Sequence, residues 1–333
     1  MRAVVLVGGF GTRLRPLTDT VPKPMLPVGH VPMIARLVGR LERGGVTQVV
    51  LALGFKPEPF VAGFPDGRCG GVELRYAVEP EPLDTAGAIR FAADSVGIDD
   101  TFVVANGDVM TDLDVAALVA RHRDVGAEAT VHLIGVEDPS AFGVVDLDDD
   151  GRVRAFVEKP PPGEEPSNLV NAGTYVFEPS MLDRIPPGRR VSVERDVFPA
   201  SAADGRLYGL ATDDYWLDAG RPELYRAANL DLLGGHRTHD RCDAVAPSAV
   251  IDPTAVVSNS IVGEHAQVGA GANVVDSVLL PDAVVGARAQ VTRSLVMGSV
   301  GDAAEVVDSM VGAAGEVASG ASLHDSVVPA PVG

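Results

Sequence analysis

Beyond Gly234, apolar residues return at every sixth position in sets: Val245, Ile251 and Val257; Val262, Val268 and Val274; Val285 and Val291; Val300 and Val306; Val311, Val317 and Leu323. Glycine follows several of them and small residues fill the gaps. Hexapeptide periodicity of this kind predicts a left-handed parallel β-helix over 245–330, with one short strand per hexad and three per coil. The polar, basic run from Gly235 to Asp243 sets this segment apart from what precedes it, so residues 236–244 read as a linker. A solenoid leaves open ends, and stacking between subunits covers them. A homo-oligomer joined through the β-helix is therefore expected.

Residues 1–235 have a different texture. Apolar runs at Ala3–Val7, Gln48–Leu53, Val72–Val78 and Thr101–Ala105 predict strands, and the stripes at Pro32–Gly45 and Thr85–Val96 predict helices. Strands alternating with helices imply a mostly parallel sheet of Rossmann type covered on both faces, an α/β fold whose ligands gather at the carboxyl ends of its strands. Asn106 and Asp108 stand at such an end, and Glu79 just past another. From Glu128 the pattern turns β-rich, at Ala129–Val136, Phe142–Leu147, Val153–Val157 and Leu169–Phe177, which makes the sheet mixed. Helices are expected at Val191–Ala203 and Pro222–Leu233, with a short strand Tyr215–Leu217 between them.

The first strand runs into GGFGTRLRPLTDTVPKPMLP, from Gly8 to Pro27. Glycines there let the backbone approach a ligand with no Cβ in the way, and successive N–H groups make an anion-binding concavity. Arg13, Arg15 and Lys23 add positive charge, and Pro16, Pro22 and Pro24 stiffen the segment. A rigid basic loop suits a polyphosphate. Neither G-x-x-x-x-G-K-[ST] nor G-x-G-x-x-G is present, so a P-loop kinase and a dinucleotide-dependent dehydrogenase are both disfavoured.

At this loop the chain resembles the sugar-1-phosphate nucleotidyltransferases, and within them the mannose-1-phosphate guanylyltransferases, also called GDP-mannose pyrophosphorylases. The likeness continues in order through EPLDTAG, NGD, DPSAFGVV, FVEKP, NAGTYVF, SVERDVFP and YWLDAG. It implies attack of a sugar-1-phosphate oxygen on the α-phosphorus of a nucleoside triphosphate, with release of pyrophosphate. Two anions must meet, so catalysis is expected to be mostly positioning and charge neutralisation.

By that resemblance, Arg13, Lys23 and Lys159 are the catalytic cations, Lys159 serving the sugar phosphate. The nucleotide would lie on Gly8, Gly9, Gly11, Thr12, Glu79, Pro82, Asp84, Thr85 and Asn106. Gly143, Glu158, Asn171 and Thr174 would form the sugar pocket, Gly143 because a side chain there would block the ring. Asp108 and Asp218 would hold Mg²⁺, a hard ion that needs few protein ligands when substrate phosphates supply the rest. Only Lys23, Lys56 and Lys159 among 27 basic residues are not arginine. A chain this committed to arginine keeps lysine where a compact ammonium is needed.

The base is the sharper question. Uridylyl- and thymidylyltransferases of this superfamily typically carry glutamine where Glu79 stands. A carboxylate only accepts hydrogen bonds, and guanine offers N1–H and N2–H₂ as parallel donors, so Glu79 favours GTP. Two departures bear on this: Asp84 occupies a usual glycine position, where it could contact ribose or crowd the base, and Pro80 replaces a residue that is often acidic.

A net charge of −19 disfavours nucleic acid or an anionic membrane as partner. No leader opens the sequence and no apolar run nears the roughly 20 residues of a membrane helix. Two distant cysteines, Cys69 and Cys242, indicate neither a disulfide framework nor a zinc site, and suit a reduced cytoplasmic setting. The alternatives are a glucose-1-phosphate uridylyl- or thymidylyltransferase and a catalytically silent, nucleotide-sugar-sensing regulatory subunit. Acyl transfer by the β-helix would need His265 or His324, and both read as surface residues at coil corners.

Overall fold

The structure is a computed structural model that describes residues 1–9, 11–54 and 57–329. Lys56, Phe10 of the glycine-rich loop and Ala330 at the end of the expected β-helix lie outside the described residues. The chain forms two compact units, Met1–Gly9 with Ile34–Trp216, and Phe10–Met33 with Leu217–Gly333.

The first unit is built on a ten-stranded sheet. Arg2–Leu6 lies at its centre, parallel to Gln48–Leu53 on one side and to Phe102–Asn106 on the other. All three are apolar at nearly every position because both of their faces are covered. Val72–Val78 extends the parallel part, and Leu169–Phe177 pairs antiparallel to Phe102–Asn106 and starts the mixed half. Gly143–Leu147, Val153–Glu158 and Ala129–Gly135 add to it, so the sheet is mixed as expected. Helix Asp84–Ser95 buries Ala86, Ala88, Ile89, Ala92 and Ala93 against Val4, Val50 and Val104 in the main core. Its alanines let it lie close to the sheet.

Some elements differ from the sequence reading. The expected helix Val191–Ala203 divides into a π-helical turn, Val193–Val197, and an α-helix, Phe198–Ala203. A helix at Val115–Val125 and a strand at Leu207–Thr212 were not anticipated. Asp114 caps the helix by accepting from the N–H groups of Ala116 and Ala117, and Gly126 ends it in the left-handed conformation. Among the described residues no helix is long and apolar enough to cross a membrane.

In the second unit the tail forms three parallel sheets of five short strands, a left-handed β-helix of hexapeptide repeats. Equivalent hexad residues stack from coil to coil: Ile251, Val268, Val285, Val300 and Val317 form one column, and Val257, Val274, Val291, Val306 and Leu323 a second. The third column is Val262, Leu279, Val296, Val311 and Val328. Leu279 and Val296 thus complete the two hexad sets that lacked a member. At Val296 the period fails because Val300 follows it at the fourth position rather than the sixth. A buried serine ladder runs up the same solenoid: Ser260, Ser277, Ser294 and Ser309 each accept, through Oγ, the backbone N–H of the next serine at 3.0–3.1 Å. His265 and His324 are exposed, and His324 faces Glu305 at 3.7 Å.

Candidate active site

The glycine-rich loop belongs to the second unit from Gly11 onward. Leu14, Leu17 and Leu26 are fully buried and fasten it at three points, while single 3₁₀ turns at Thr12–Leu14, Leu17–Asp19 and Lys23–Met25 fold it back on itself. Gly11 has φ +61°, and a Cβ there would lie 3.0 Å from Thr18 Cγ2 and 3.1 Å from Lys23 Cβ. Glycine is required on both counts. Thr18 Oγ1 donates to the Gly11 carbonyl at 2.9 Å and closes the loop.

Lys23 is only 6% exposed, and its Nζ stands 3.7 Å from Asp218 Oδ1. That is an ion pair rather than a direct hydrogen bond. Gly220 marks the centre of the arrangement: a Cβ on it would lie 2.8 Å from Asp218 Oδ1, 3.0 Å from Arg13 Nη2 and 3.1 Å from Lys23 Nζ. Two cations and a carboxylate therefore converge on one point that is kept free of side chain. Sequence reasoning singled out Arg13, Lys23 and Asp218 but passed over Gly220, although it closes the YWLDAG motif. Thr12 is exposed beside Arg13.

The other residues that the sequence singles out lie in the first unit. Gly8 sits against the neighbouring strand end, its Cβ position 3.3 Å from Gly54 N, whereas Gly9 has nothing within 4 Å of its own. Glu79 is buried, and its Oε2 accepts the backbone N–H of Leu83 at 2.8 Å. Burial pushes its carboxyl above the usual range, and the Leu83 N–H partly offsets this. Pro82 is exposed in the same turn.

Asp84 takes φ +60°, a conformation glycine adopts without strain, which explains why glycine serves at this position in the motif it departs from. Its carboxylate is engaged within the protein. Oδ1 accepts the Thr85 N–H at 2.9 Å, and Oδ2 accepts from Arg195 at 2.7 Å with Arg190 3.9 Å away. Thr85 is committed as well, donating to Glu194 Oε2 at 2.7 Å and accepting from Val193 N at 2.8 Å.

Asn106 ends its strand beside Gly173, where a Cβ would lie 2.8 Å from Asn106 Nδ2, and Gly173 itself has φ +76°. The fully buried Tyr175 gathers the acidic side. Its hydroxyl accepts from Asn171 Nδ2 at 2.9 Å, and burial together with the charges of Glu194, Glu158 and Asp108 holds its pKa well above the ordinary value. Asp108, Glu158, Asn171 and Glu194 thus share one neighbourhood, and Glu194 is the member that sequence reasoning missed within SVERDVFP.

Glu158 is pushed up by burial and by Glu194, against the pull of Lys159, whose Nζ is 3.4 Å away. Lys159 has φ +51° and a side chain 65% exposed. At Gly143 a Cβ would meet Phe156 Cζ at 2.7 Å and Glu158 Oε2 at 2.9 Å. The glycine is therefore required by the protein's own packing, before any sugar ring is considered. Thr174 Oγ1 is buried with no hydrogen-bond partner among the described residues. A buried hydroxyl of this kind is costly unless something satisfies it.

For a divalent ion the donor chemistry is right: Asp108 and Asp218 offer hard carboxylate oxygens, and Asp218 Oδ1 is buried without a hydrogen bond. Among the described residues no group of three or more His, Cys, Asp or Glu gathers in metal-binding geometry. With one or two carboxylates to bind it, a divalent ion would depend on ligand oxygens for most of its shell.

Comparison with known proteins agrees with these features. The family model described as nucleotidyl transferase matches residues 2–234, and that of the GlmU-like C-terminal hexapeptide matches 234–301. A mannose-1-phosphate guanylyltransferase of Mycobacterium tuberculosis is 42% identical over 306 residues, covering 87% of this chain and 83% of its own. The chain belongs to the mannose-1-phosphate guanylyltransferase family of nucleotidyltransferases. Another guanyltransferase, of Schizosaccharomyces pombe, is 40% identical and covers 78% of this chain and 74% of its own. Among solved structures, HddC from Yersinia pseudotuberculosis complexed with GMP-PN matches with TM-score 0.57 and 29% identity, covering 68% of this chain and 97% of that one. The chain is thus an enzyme of nucleotidyltransferase type, with the α/β fold and hexapeptide tail that the sequence implied.

Proposed function

We propose that the chain condenses GTP with α-D-mannose 1-phosphate to give GDP-mannose and pyrophosphate. The observation that carries the reading is the convergence of Arg13, Lys23 and Asp218 on Gly220 in a chain 42% identical to a mannose-1-phosphate guanylyltransferase. A sugar-phosphate oxygen attacks the α-phosphorus in line, the bond to the β-phosphate bridging oxygen breaks, and that oxygen leaves with the electron pair as pyrophosphate. No proton need move to a protein group. Lys23 and Arg13 offset the charge that gathers on the α-phosphate and the departing diphosphate.

Gly8, Gly9, Gly11 and Thr12 supply backbone N–H groups to the triphosphate, and Glu79 accepts from guanine. Pro82, Asp84, Thr85 and Asn106 frame the nucleoside, Asp84 and Thr85 through the turn they brace. Glu158, Asn171 and Thr174 face the sugar around Gly143, and Lys159 neutralises its phosphate. Asp108 and Asp218 would hold Mg²⁺, which when bound draws phosphate charge and fixes oxygen geometry. The division into a catalytic part, 1–235, a linker, 236–244, and a β-helix, 245–330, belongs to the same reading, as do a cytoplasmic setting and a homo-oligomer joined through the β-helix.

The test is pyrophosphate release over a panel of nucleoside triphosphates crossed with several sugar 1-phosphates, with and without Mg²⁺. GTP with mannose 1-phosphate should be fastest, and only with the metal. A preference for UTP or dTTP would overturn the assignment of Glu79.

A further inference from the structure

Most corner glycines of the β-helix are dictated by the coil that follows them. A Cβ on Gly263 would strike the backbone of Leu279 to Pro281, on Gly269 that of Gly286 and Ala287, and on Gly301 that of Ala318 and Ser319, all within 3.2 Å. Gly312 occupies the equivalent place after Val311, yet its constraint comes from elsewhere. The three atoms nearest its Cβ position all belong to Pro16, with Cγ at 2.5 Å, Cβ at 2.6 Å and the carbonyl carbon at 3.3 Å. Pro16 and Gly312 are both buried and lie in the same compact unit. The proline ring is thus seated on the solenoid, in a socket that exists only because residue 312 has no side chain.

Pro16 is also part of the loop that carries the two cations. The 3₁₀ turn Thr12–Leu14 precedes it, with Arg13 at its middle, and its own carbonyl accepts the Asp19 N–H that opens the path toward Lys23. A second tie lies in the same unit: Arg226 Nη1 donates to the Asp276 carbonyl of the β-helix at 3.1 Å, from the helix Pro222–Leu233 whose Asn229 Oδ1 accepts the N–H of Gly29, two residues past the loop, at 2.8 Å. Loop, helix and solenoid are therefore linked in a closed circuit by contacts of short reach. Charges that act by position lose about a hundredfold in rate when moved by an ångström.

We propose that Gly312 and Pro16 are positioning residues for nucleotidyl transfer: the β-helix sets the place of Arg13 and Lys23 relative to Asp218, so the tail is a working part of the active site. This rests on the proposed transfer reaction. Pyrophosphate release at saturating GTP and mannose 1-phosphate is compared for the full-length wild type, Gly312→Ala, Gly312→Val, Ala313→Val and the double variant Pro16→Gly with Gly312→Ala, with thermal melts of each. Ala313 is exposed at the same corner and serves as the control for damage to the coil.

The expected result is a kcat at least tenfold lower for Gly312→Val, a smaller loss for Gly312→Ala that Pro16→Gly largely restores, and Ala313→Val within twofold of wild type, all with melting temperatures close to it. Gly312→Val within twofold of wild type, no rescue in the double variant, or an equal loss in Ala313→Val would each overturn the proposal. An inactive wild type would instead overturn the reaction itself.

Discussion

Glu79 Oε2 accepts the backbone N–H of Leu83 at 2.8 Å, so the residue assigned to read the base also pins the turn that leads into Asp84. Its pKa is raised by burial. The contribution of this one group to stability is therefore fully present below the ordinary glutamate range and is lost as pH rises through its folded value. Glu79→Gln removes that loss. It should melt higher than wild type at pH 8, with the difference vanishing under acid conditions, and its kcat/KM should shift from GTP toward UTP, because the amide offers a donor where guanine needs an acceptor. An unchanged GTP preference would remove Glu79 from base reading.

Asp84 is turned toward Arg195 and the Thr85 N–H rather than outward. The pair is largely solvent-exposed at the arginine, so it contributes little to stability, about 1 kcal/mol or less. Asp84→Gly, which suits φ +60° without strain, should keep the nucleotide preference of wild type and change melting by a few degrees at most. A switch of preferred nucleotide in this variant would show that the carboxylate reaches the ligand.

Lys159→Ala should lower turnover by about 10²–10³, as loss of one preorganised charge does. The side chain is 65% exposed, so folding should be unaffected. Melting curves separate the two effects, and near-normal turnover would withdraw the lysine from the phosphate.

His132 offers a test of pH dependence away from the site. It is fully buried, with Nε2 2.9 Å from Thr212 Oγ1, and burial, aided by Arg40, lowers its pKa from 6.5 to about 3. The unfolded chain therefore takes up a proton below about pH 6.5 that the folded one refuses, and stability falls as pH drops through that window. His132→Asn should flatten the stability profile between pH 6.5 and 3 relative to wild type, as read from denaturant unfolding at each pH. Parallel profiles would contradict the shift.

The sequence disclosed the hexad columns because their period is strict, and it lost Val296 where four residues replace six. It disclosed Gln48–Leu53 to the residue, since strands of a covered parallel sheet are continuously apolar, and Val72–Val78 because apolar Val72 and Leu74 alternate with Glu73 and Arg75. Leu207–Thr212 escaped because Gly209 interrupts its pattern. That glycine is there since a Cβ would lie 2.7 Å from Leu133 Cδ1, a constraint visible only in three dimensions. The motif residues were legible one by one, but the roles of Gly220, Glu194 and Tyr175 were not, because each acts by filling or leaving space between segments far apart in the chain.

Gly220 carries the most direct test. A Cβ there would press on the tips of the Arg13, Lys23 and Asp218 side chains, which can shift at small cost to folding, yet their position is what the chemistry needs. The decisive measurement is kcat for pyrophosphate release from GTP and mannose 1-phosphate by Gly220→Ala beside Lys23→Ala, with Mg²⁺ and saturating substrates. The account predicts that both fall by about a hundredfold or more while Gly220→Ala melts within a few degrees of wild type. A Gly220→Ala enzyme that turns over within threefold of wild type would show that the three charges do not work at that point, and would contradict it.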